Sequence, residues 1–225
     1  MKKRVVITGA SDGIGRAIAI RMHTEYEVIL CGRNEERLQA VAAECNNARY
    51  VAFDINDLEA QKRAAEDIGQ IDILINNAGV WHKSTGLDEL DDETIIEVLN
   101  TNLVSQILLT KKFLPDMQDR EGTAIINIVS SAGMRGNAGR IAYAPSKFGM
   151  RGFTEVLRED TKKKPLRVAA VFQSGTNTGL FEKAGESEDD FPRSEYIEPA
   201  DLADVIAFML SRPKKLWINE VGITR

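Results

Sequence analysis

The sequence contains few of the residues that build metal centres and disulfide frameworks. Its 225 residues include two cysteines, Cys31 and Cys45, and two histidines, so neither a disulfide framework nor a histidine-built metal site is expected. Both cysteines are interpreted as small core or surface residues. No apolar run approaches the roughly 18 residues that a membrane-spanning helix needs, and no membrane partner is expected. These shortages favour an ordinary globular protein.

Basic residues are also fewer than acidic ones. The chain has 29 basic and 34 acidic residues, a formal net charge of −5, and such a field repels nucleic acid rather than attracting it. The basic start at residues 1–4 precedes only a three-residue apolar run, Val5–Ile7, which is too short for a secretion signal. We therefore expect no nucleic-acid partner and a cytoplasmic location.

Short apolar runs rich in β-branched residues recur along the chain. Their continuous hydrophobicity predicts strands covered on both faces, as in a parallel sheet between helices. Six runs lie at residues 5–7, 28–30, 50–53, 71–75, 125–129 and 168–172, with a last strand near 216–221. Helices are predicted at 14–26, 35–45, 57–68, 91–114, 142–162 and 199–210. This alternation predicts an α/β fold: one doubly wound domain over 1–225, with about seven parallel strands and helices on both faces.

Two segments of this pattern predict more than their secondary structure. Residues 182–195 contain six acidic residues and no helical period, so we interpret them as a mobile loop that covers a pocket. The helix predicted at 91–114 has apolar residues on more than one face. We expect a second copy of the chain to cover it, in a homo-oligomer.

A glycine-rich turn follows the first predicted strand and opens a helix. Glycines let the backbone bend tightly and approach a ligand, and a helix N-terminus offers free N–H groups to a pyrophosphate. The turn predicts a dinucleotide site, although a tight turn without a ligand is the alternative. Its candidate cofactor-binding residues are Gly9, Ser11, Asp12, Gly13, Ile14 and Gly15.

The end of the second predicted strand indicates which dinucleotide is bound. A carboxylate at this place would bind the ribose 2′-hydroxyl of NAD and would repel the 2′-phosphate of NADP. The chain has Arg33 there, whose guanidinium can bind a phosphate through paired hydrogen bonds. We therefore predict NADP(H) in preference to NAD(H), the alternative being that Arg33 is a solvated turn residue.

A tyrosine, a lysine and a serine form a candidate catalytic group. Tyr143 and Lys147 are four residues apart and share one face of a helix. A neighbouring ammonium is expected to lower the pKa of the phenol from about 10, which would provide a proton donor and acceptor near neutral pH. Ser130 follows a strand at its carboxyl end, where open α/β sheets bind ligands. Alternatively, the tyrosine and lysine form a surface pair and Ser130 is a turn residue.

The order and spacing of these motifs resemble the short-chain dehydrogenase/reductase family, in its 3-oxoacyl reductase-like branch, over nearly the whole chain. Thr-Gly-x3-Gly-x-Gly at 8–15, Asn-Asn-Ala-Gly at 76–79, Ser130 and Tyr143-x3-Lys147 all match. The resemblance implies a Rossmann-type fold in which Ser130 bonds the substrate oxygen and Tyr143 transfers the proton. It further implies that Lys147 holds the nicotinamide ribose and that Asn102 supports a water-linked proton relay. It also implies a homodimer or homotetramer built on the helix predicted at 91–114 and on the Tyr143 helix.

The resemblance also implies further contacts with the cofactor. They fall on Asp54, Ile55, Asn76, Ala78, Gly79, Gly175 and Thr178. Asp54 could instead cap the helix that begins near Asp57, and Asn76 could satisfy backbone groups in its turn. One loop departs from the family, since Ser174-Gly175 replaces the usual Pro-Gly and Thr178 follows one residue early.

Together these features predict an NADP(H)-dependent oxidoreductase that interconverts a carbonyl and an alcohol on a small molecule. Trp81, His82, Met134 and Arg135 follow the motifs and are candidates for the substrate pocket, although each could equally lie on the surface. The alternative function is a catalytically silent NADP-binding regulatory or scaffolding protein on the same fold.

Overall fold

A single seven-stranded parallel sheet forms the centre of the protein. The computed structural model describes residues 2–187, 194, 196–213 and 215–224. The strands are β1 (Arg4–Thr8), β2 (Glu27–Gly32), β3 (Arg49–Ala52), β4 (Ile73–Asn76), β5 (Ala124–Ile128), β6 (Arg167–Gln173) and β7 (Glu220–Ile223). Their order across the sheet is β3-β2-β1-β4-β5-β6-β7, and every neighbouring pair is parallel. The order reverses between β1 and β4, the point at which such sheets bind ligands.

Helices connect the strands and cover both faces of the sheet. They are α1 (Gly13–Met22), α2 (Glu35–Glu44), α3 (Leu58–Ile68), α4 (Asp92–Leu99), α5 (Ser105–Met117), α6 (Tyr143–Asp160), α7 (Leu180–Lys183) and α8 (Pro199–Ser211). A π-helical turn at Asn100–Val104 joins α4 to α5, and a 3-10 turn at Ser131–Gly133 follows β5. Side chains of Asp12, Asn34, Asp57 and Asp91 cap α1, α2, α3 and α4 by accepting backbone N–H bonds.

The sheet separates two apolar layers. Successive residues of a strand point to opposite faces, so Val5 and Ile7 pack with α1, α2 and α8, whereas Val6 packs with α3, α5 and α6. The side chains of Val5, Val6 and Ile7 are all fully buried. Burial on both faces explains the continuous apolar runs in the sequence, and it confirms the predicted α/β fold with helices on both sides of about seven parallel strands. In the described part of the chain, no helix is long and apolar enough to cross a bilayer.

Three predicted elements are wrong in detail. The helix predicted at 91–114 is interrupted by the π-helical turn, where Asn102 bonds the backbone of Val80. The last strand begins only at Glu220, and the preceding Trp217 packs partly buried against the core and donates its indole N–H to the carbonyl of Val168. The loop predicted at 182–195 overlaps the helical residues of α7, and most of the rest of it lies outside the described residues.

Candidate functional site

Two adjoining cavities open at the carboxyl ends of the strands. The first, of about 490 Å³, runs from the turn after β1 past the ends of β2 and β4 to α6. The second, of about 500 Å³, lies between the segment after β5 and the segment after β6. The residues common to both walls are Ile14, Trp81, Tyr143, Gln173, Thr178 and Leu180. A ligand in one cavity can therefore meet a ligand in the other beside Tyr143.

The turn between β1 and α1 is built for close approach of the backbone to a ligand. Gly9 has a φ of +65°, a conformation that L side chains rarely adopt. A Cβ on Gly15 would lie 2.3 Å from the carbonyl oxygen of Gly9, so the start of α1 fits against the turn only with glycine there. Asp12 accepts the N–H of Gly13 at 2.7 Å and caps the helix. Gly15 stays outside the first cavity, whose wall here is Gly9, Ser11, Asp12, Gly13 and Ile14.

Basic side chains stand at the end of β2. Arg33 lines the first cavity with 57% of its side chain exposed, and its Nη1 lies 3.9 Å from both Asp54 and Glu97 carboxylates. Arg37, in the first turn of α2, lines the same wall and lies 3.7 Å from the Asp12 carboxylate. Sequence reasoning missed Arg37. It lies one turn after Asn34, which caps α2, and this spacing places Arg37 at the same end of β2.

The segment after β3 divides between the cavity and the surface. Ile55 lines the first cavity, whereas Asp54 does not. The Asp54 carboxylate accepts the N–H of Asn56 at 2.8 Å in its own turn. Its alternative role as the cap of α3 is wrong, because Asp57 accepts the N–H groups of the first turn.

The turn after β4 contributes Asn77, Ala78 and Gly79 to the first cavity, but not Asn76. Asn76 is buried in the core, where its Nδ2 donates to Thr110 and Asn127 at 2.9 and 2.8 Å. The expectation that it lines the cofactor site therefore needs correction. It also does not satisfy backbone groups of its turn. Asn77 instead ties this turn to β1, since its Nδ2 donates to the carbonyl of Thr8 at 2.9 Å.

Ser130, Tyr143 and Lys147 come together where the two cavities meet. The Ser130 side chain lies near the Tyr143 hydroxyl and acts to lower its pKa, and Ser130 Oγ accepts the N–H of Ala132 at 3.2 Å. Lys147 Nζ donates to the carbonyl of Ile128 at 3.0 Å and lies 5.6 Å from the centroid of the Tyr143 ring. Ser130 has a φ of 110°, which is unusual for a residue with a side chain and is typical of functional sites. Tyr143 and Lys147 line the first cavity, and Ser130 and Tyr143 line the second.

The pKa of Tyr143 corrects one expectation from the sequence. Burial raises the pKa of the phenol above its ordinary value of 10.0, while the Ser130 side chain and the Arg140 charge act in the opposite direction and are weaker. Lys147 was expected to lower this pKa, but its ammonium is bonded to Ile128 instead. Burial lowers the pKa of Lys147 itself from 10.5 to about 8.

Asn102 sits fully buried in the π-helical turn. Its Oδ1 accepts the N–H of Val80 at 2.8 Å, and its Nδ2 donates to the Val80 carbonyl and to Ser146 at 3.0 and 3.2 Å. A Cβ on Gly79 would lie 3.2 Å from Asn102 Oδ1 and 3.8 Å from Lys147 Nζ. Asn102 thus fixes the chain after Gly79 beside Lys147, and π-helical turns of this kind often occur at functional sites.

The loop after β6 completes the second cavity despite its unusual sequence. Gly175 lies against Tyr196, since a Cβ on it would fall 2.7 Å from the ring. Thr178 lines both cavities and closely approaches Gly13. Sequence reasoning missed Gln173 and Arg140, although Gln173 ends β6 and the carboxyl ends of strands were already the expected site. Trp81 and Arg135 also line the second cavity, as the sequence allowed.

The two cysteines are free thiols. Both thiols are buried, and burial raises the pKa of Cys31 to about 12, which keeps it protonated. Within the described ranges, no cluster of three or more His, Cys, Asp or Glu side chains could hold a metal ion.

The sequence and the fold of this chain are both similar to those of known proteins. Residues 3–189 match the family described as short chain dehydrogenase. The chain is 35% identical to a 3beta-hydroxysteroid dehydrogenase of Mediterraneibacter gnavus over 192 residues, 81% of this chain and 69% of that protein. It is 30% identical to the 3-oxoacyl-[acyl-carrier-protein] reductase FabG of Rickettsia bellii, over 92% of this chain and 88% of that one. The closed form of a serine dehydrogenase complexed with NADP+ superposes with a TM-score of 0.92 at 27% identity, covering 98% and 94% of the two chains.

Proposed function

Because the chain belongs to the short-chain dehydrogenase family, we propose that it is an NADP(H)-dependent oxidoreductase that interconverts a carbonyl and an alcohol. The observation that carries the proposal is the meeting of Ser130, Tyr143 and Lys147 at the junction of two cavities. Each cavity has a volume in the range of small-molecule sites. The first suits a dinucleotide and the second a substrate.

Residues along the first cavity fit a nicotinamide dinucleotide. The glycine turn and the N-terminus of α1 suit the pyrophosphate. At the other end, Gln173 is buried and its Oε1 has no hydrogen-bond partner among the described residues, so it needs a donor such as the N–H of a carboxamide. Lys147 would hold the nicotinamide ribose. When bound, the nicotinamide supplies or accepts a hydride.

The preference for NADP(H) rests on the side chains at the end of β2. Arg33 and Arg37 both line the first cavity, and a guanidinium suits the 2′-phosphate. Asp54 and Glu97 approach Arg33 only to 3.9 Å, with more than two fifths of each side chain exposed. Such loose, solvated pairs are weak and are readily exchanged for a phosphate.

The catalytic groups have distinct parts in the reduction. The Ser130 hydroxyl donates a hydrogen bond to the carbonyl oxygen and orients it toward Tyr143. As the carbonyl carbon gains the hydride, the Tyr143 hydroxyl gives its proton to that oxygen, and the alcohol leaves. The raised pKa keeps Tyr143 protonated and ready to donate at neutral pH. Solvent then returns a proton to the Tyr143 phenolate, and Asn102 keeps the neighbouring Val80 backbone in place.

Exposed apolar side chains on α6 and on the turn before α5 support a homo-oligomer. Val104, Phe148 and Val156 are 42%, 42% and 60% exposed. A second copy of the chain would cover them and form a homodimer or a homotetramer.

The direct test is the loss of NADPH absorbance with a panel of ketones, aldehydes, 3-oxo esters and quinones. We expect turnover with at least one member. Tight NADPH binding with no turnover on any member would contradict the proposal and favour a silent regulatory or scaffolding protein, which the altered Ser174-Gly175 loop would then explain.

A further inference from the structure

The second cavity is locally positive in a protein that is negative overall. Its wall contains Arg135 and Arg140, and no aspartate or glutamate is among its described lining residues. The whole chain has a net charge of −5. The positive charge at this place is therefore a local property of the cavity, as expected where an anion is bound.

Arg140 is the better placed of the two arginines. It is half-buried, its guanidinium carbon lies 5.2 Å from the centroid of the Trp81 ring, and its Nη1 donates to the Asn137 side-chain oxygen at 3.0 Å. The Tyr143 ring lies 4.5 Å from the same indole. Trp81 thus links the guanidinium to the catalytic tyrosine, and the Arg140 charge acts to lower the Tyr143 pKa.

Within the part of the chain that the structure describes, Arg140 differs from most arginines in having no ionic partner. Arg21, Arg120 and Arg158 each lie within 3.0 Å of a carboxylate oxygen. Among the described residues, no carboxylate lies within ion-pair distance of Arg140. A half-buried guanidinium with one neutral hydrogen-bond partner retains donors for an anionic ligand.

The opposite wall of the second cavity also needs a polar ligand. Among the described residues, Ser174 Oγ has no hydrogen-bond partner although it is buried, and Ser174 lines this cavity. Leaving buried polar atoms unsatisfied destabilises a protein unless a ligand or water bonds them.

Resting on the proposed function, we infer that the substrate is a small oxo acid, or the corresponding hydroxy acid, whose carboxylate is bound by Arg140. The guanidinium fork matches the two oxygens of a carboxylate. The volume of about 500 Å³ suits a small molecule. Trp81, Phe181 and Tyr196 close the cavity with aromatic rings, and Phe181 lies 5.0 and 5.6 Å from the other two.

The kinetic test compares an acid with its neutral ester. Steady-state kinetics with acetoacetate and methyl acetoacetate are measured on wild type, Arg140→Met, Arg140→Lys and Arg212→Met. Methionine preserves an apolar stem against Trp81 without the charge. Arg212 is the matched control, because it stacks on Phe208 at 3.9 Å and lines neither cavity.

We expect Arg140→Met to lower kcat/KM for acetoacetate about 10- to 100-fold more than for methyl acetoacetate, the effect of one charge-assisted bond, because the influence of the Arg140 charge on Tyr143 is common to both substrates. Arg140→Lys should recover part of the loss, and Arg212→Met should behave as wild type. Equal losses on acid and ester would overturn the inference. A larger Arg140 dependence for dihydroxyacetone phosphate than for acetoacetate would contradict the choice of a carboxylate.

A binding readout separates this inference from the proposed reaction. Trp81 and Trp217 are the only two tryptophans, so in a Trp217→Phe background the fluorescence reports on the cavity wall. With NADP+ present, acetoacetate should quench this fluorescence saturably, and Arg140→Met should weaken binding by the same 10- to 100-fold. Quenching without turnover would refute the reaction and support the carboxylate site. Turnover with no Arg140-dependent quenching would overturn the inference and leave the reaction standing.

Discussion

Removing the guanidinium at the end of β2 tests the cofactor preference. We predict that Arg33→Ala weakens NADPH binding and leaves NADH binding nearly unchanged, because only NADPH has a 2′-phosphate for this side chain to bind. Arg33 lines the first cavity, and its nearest carboxylates are at 3.9 Å. The structure therefore gives the guanidinium no strong competing partner.

The size of the effect follows from the exposure of Arg33. A hydrogen bond to a charged group contributes about 1.5–3 kcal/mol. Since 57% of the Arg33 side chain is exposed and two carboxylates compete for it, we take the lower end. A loss of about 1.5 kcal/mol corresponds to roughly a tenfold rise in the Kd of NADPH. Asp54→Asn should act in the opposite direction, because it removes negative charge from beside the phosphate.

Isothermal titration of NADPH and NADH into each variant measures both dissociation constants. Arg49→Ala is the matched control, since Arg49 pairs with Asp67 on the surface and does not line the first cavity. The reasoning is refuted if wild type binds both cofactors equally, or if Arg33→Ala binds NADPH as tightly as wild type does. A loss that affects NADPH and NADH alike would also refute it, because it would indicate a general defect.

Three further predictions concern the catalytic lysine, the glycine turn and the oligomer. Burial lowers the Lys147 pKa from 10.5 to about 8, so between these pH values the unfolded chain binds more protons than the folded one. The free energy of urea unfolding of wild type should therefore rise relative to that of Lys147→Met as pH increases from 8 to 10.5. A difference between the two that stays constant with pH would contradict this. Gly15→Ala should abolish measurable NADPH binding, because its Cβ would lie 2.3 Å from the Gly9 carbonyl oxygen. A variant that binds NADPH with wild-type affinity would contradict this prediction. Light scattering should show a dimer or tetramer that Phe148→Glu dissociates, and a wild-type monomer would contradict the proposed interface.

The elements of the fold that the sequence predicts well are those determined locally. The run Val5–Ile7 is buried on both faces, and its continuous apolar character indicates this without knowledge of the rest of the chain. The glycine turn and the cap at Asp12 are likewise local, since their geometry depends on adjacent residues. Such features account for the correct order of strands and helices.

Features that depend on residues distant in sequence could not be predicted from local sequence patterns. The π-helical turn at Asn100–Val104 keeps a helical apolar pattern, and its bonds go to Val80, 22 residues away in sequence. Arg140 lies in a segment without periodicity, and its place depends on a bridge to Thr85. The Tyr143 pKa depends on the burial of the phenol and on the direction of Lys147, which donates to the Ile128 carbonyl. The four-residue spacing of Tyr143 and Lys147 reveals neither.

The central claim is that Tyr143 transfers the proton in an NADPH-dependent reduction. Tyr143→Phe removes only the hydroxyl, and Tyr26→Phe is the matched control, because Tyr26 packs partly buried against the core and lines neither cavity. Turnover and NADPH affinity are measured on both variants with the substrate that the panel identifies. The account predicts that Tyr143→Phe binds NADPH as wild type does and loses about 100-fold or more in kcat. Turnover of Tyr143→Phe within about threefold of wild type would contradict it, because a group that transfers a proton contributes far more than that.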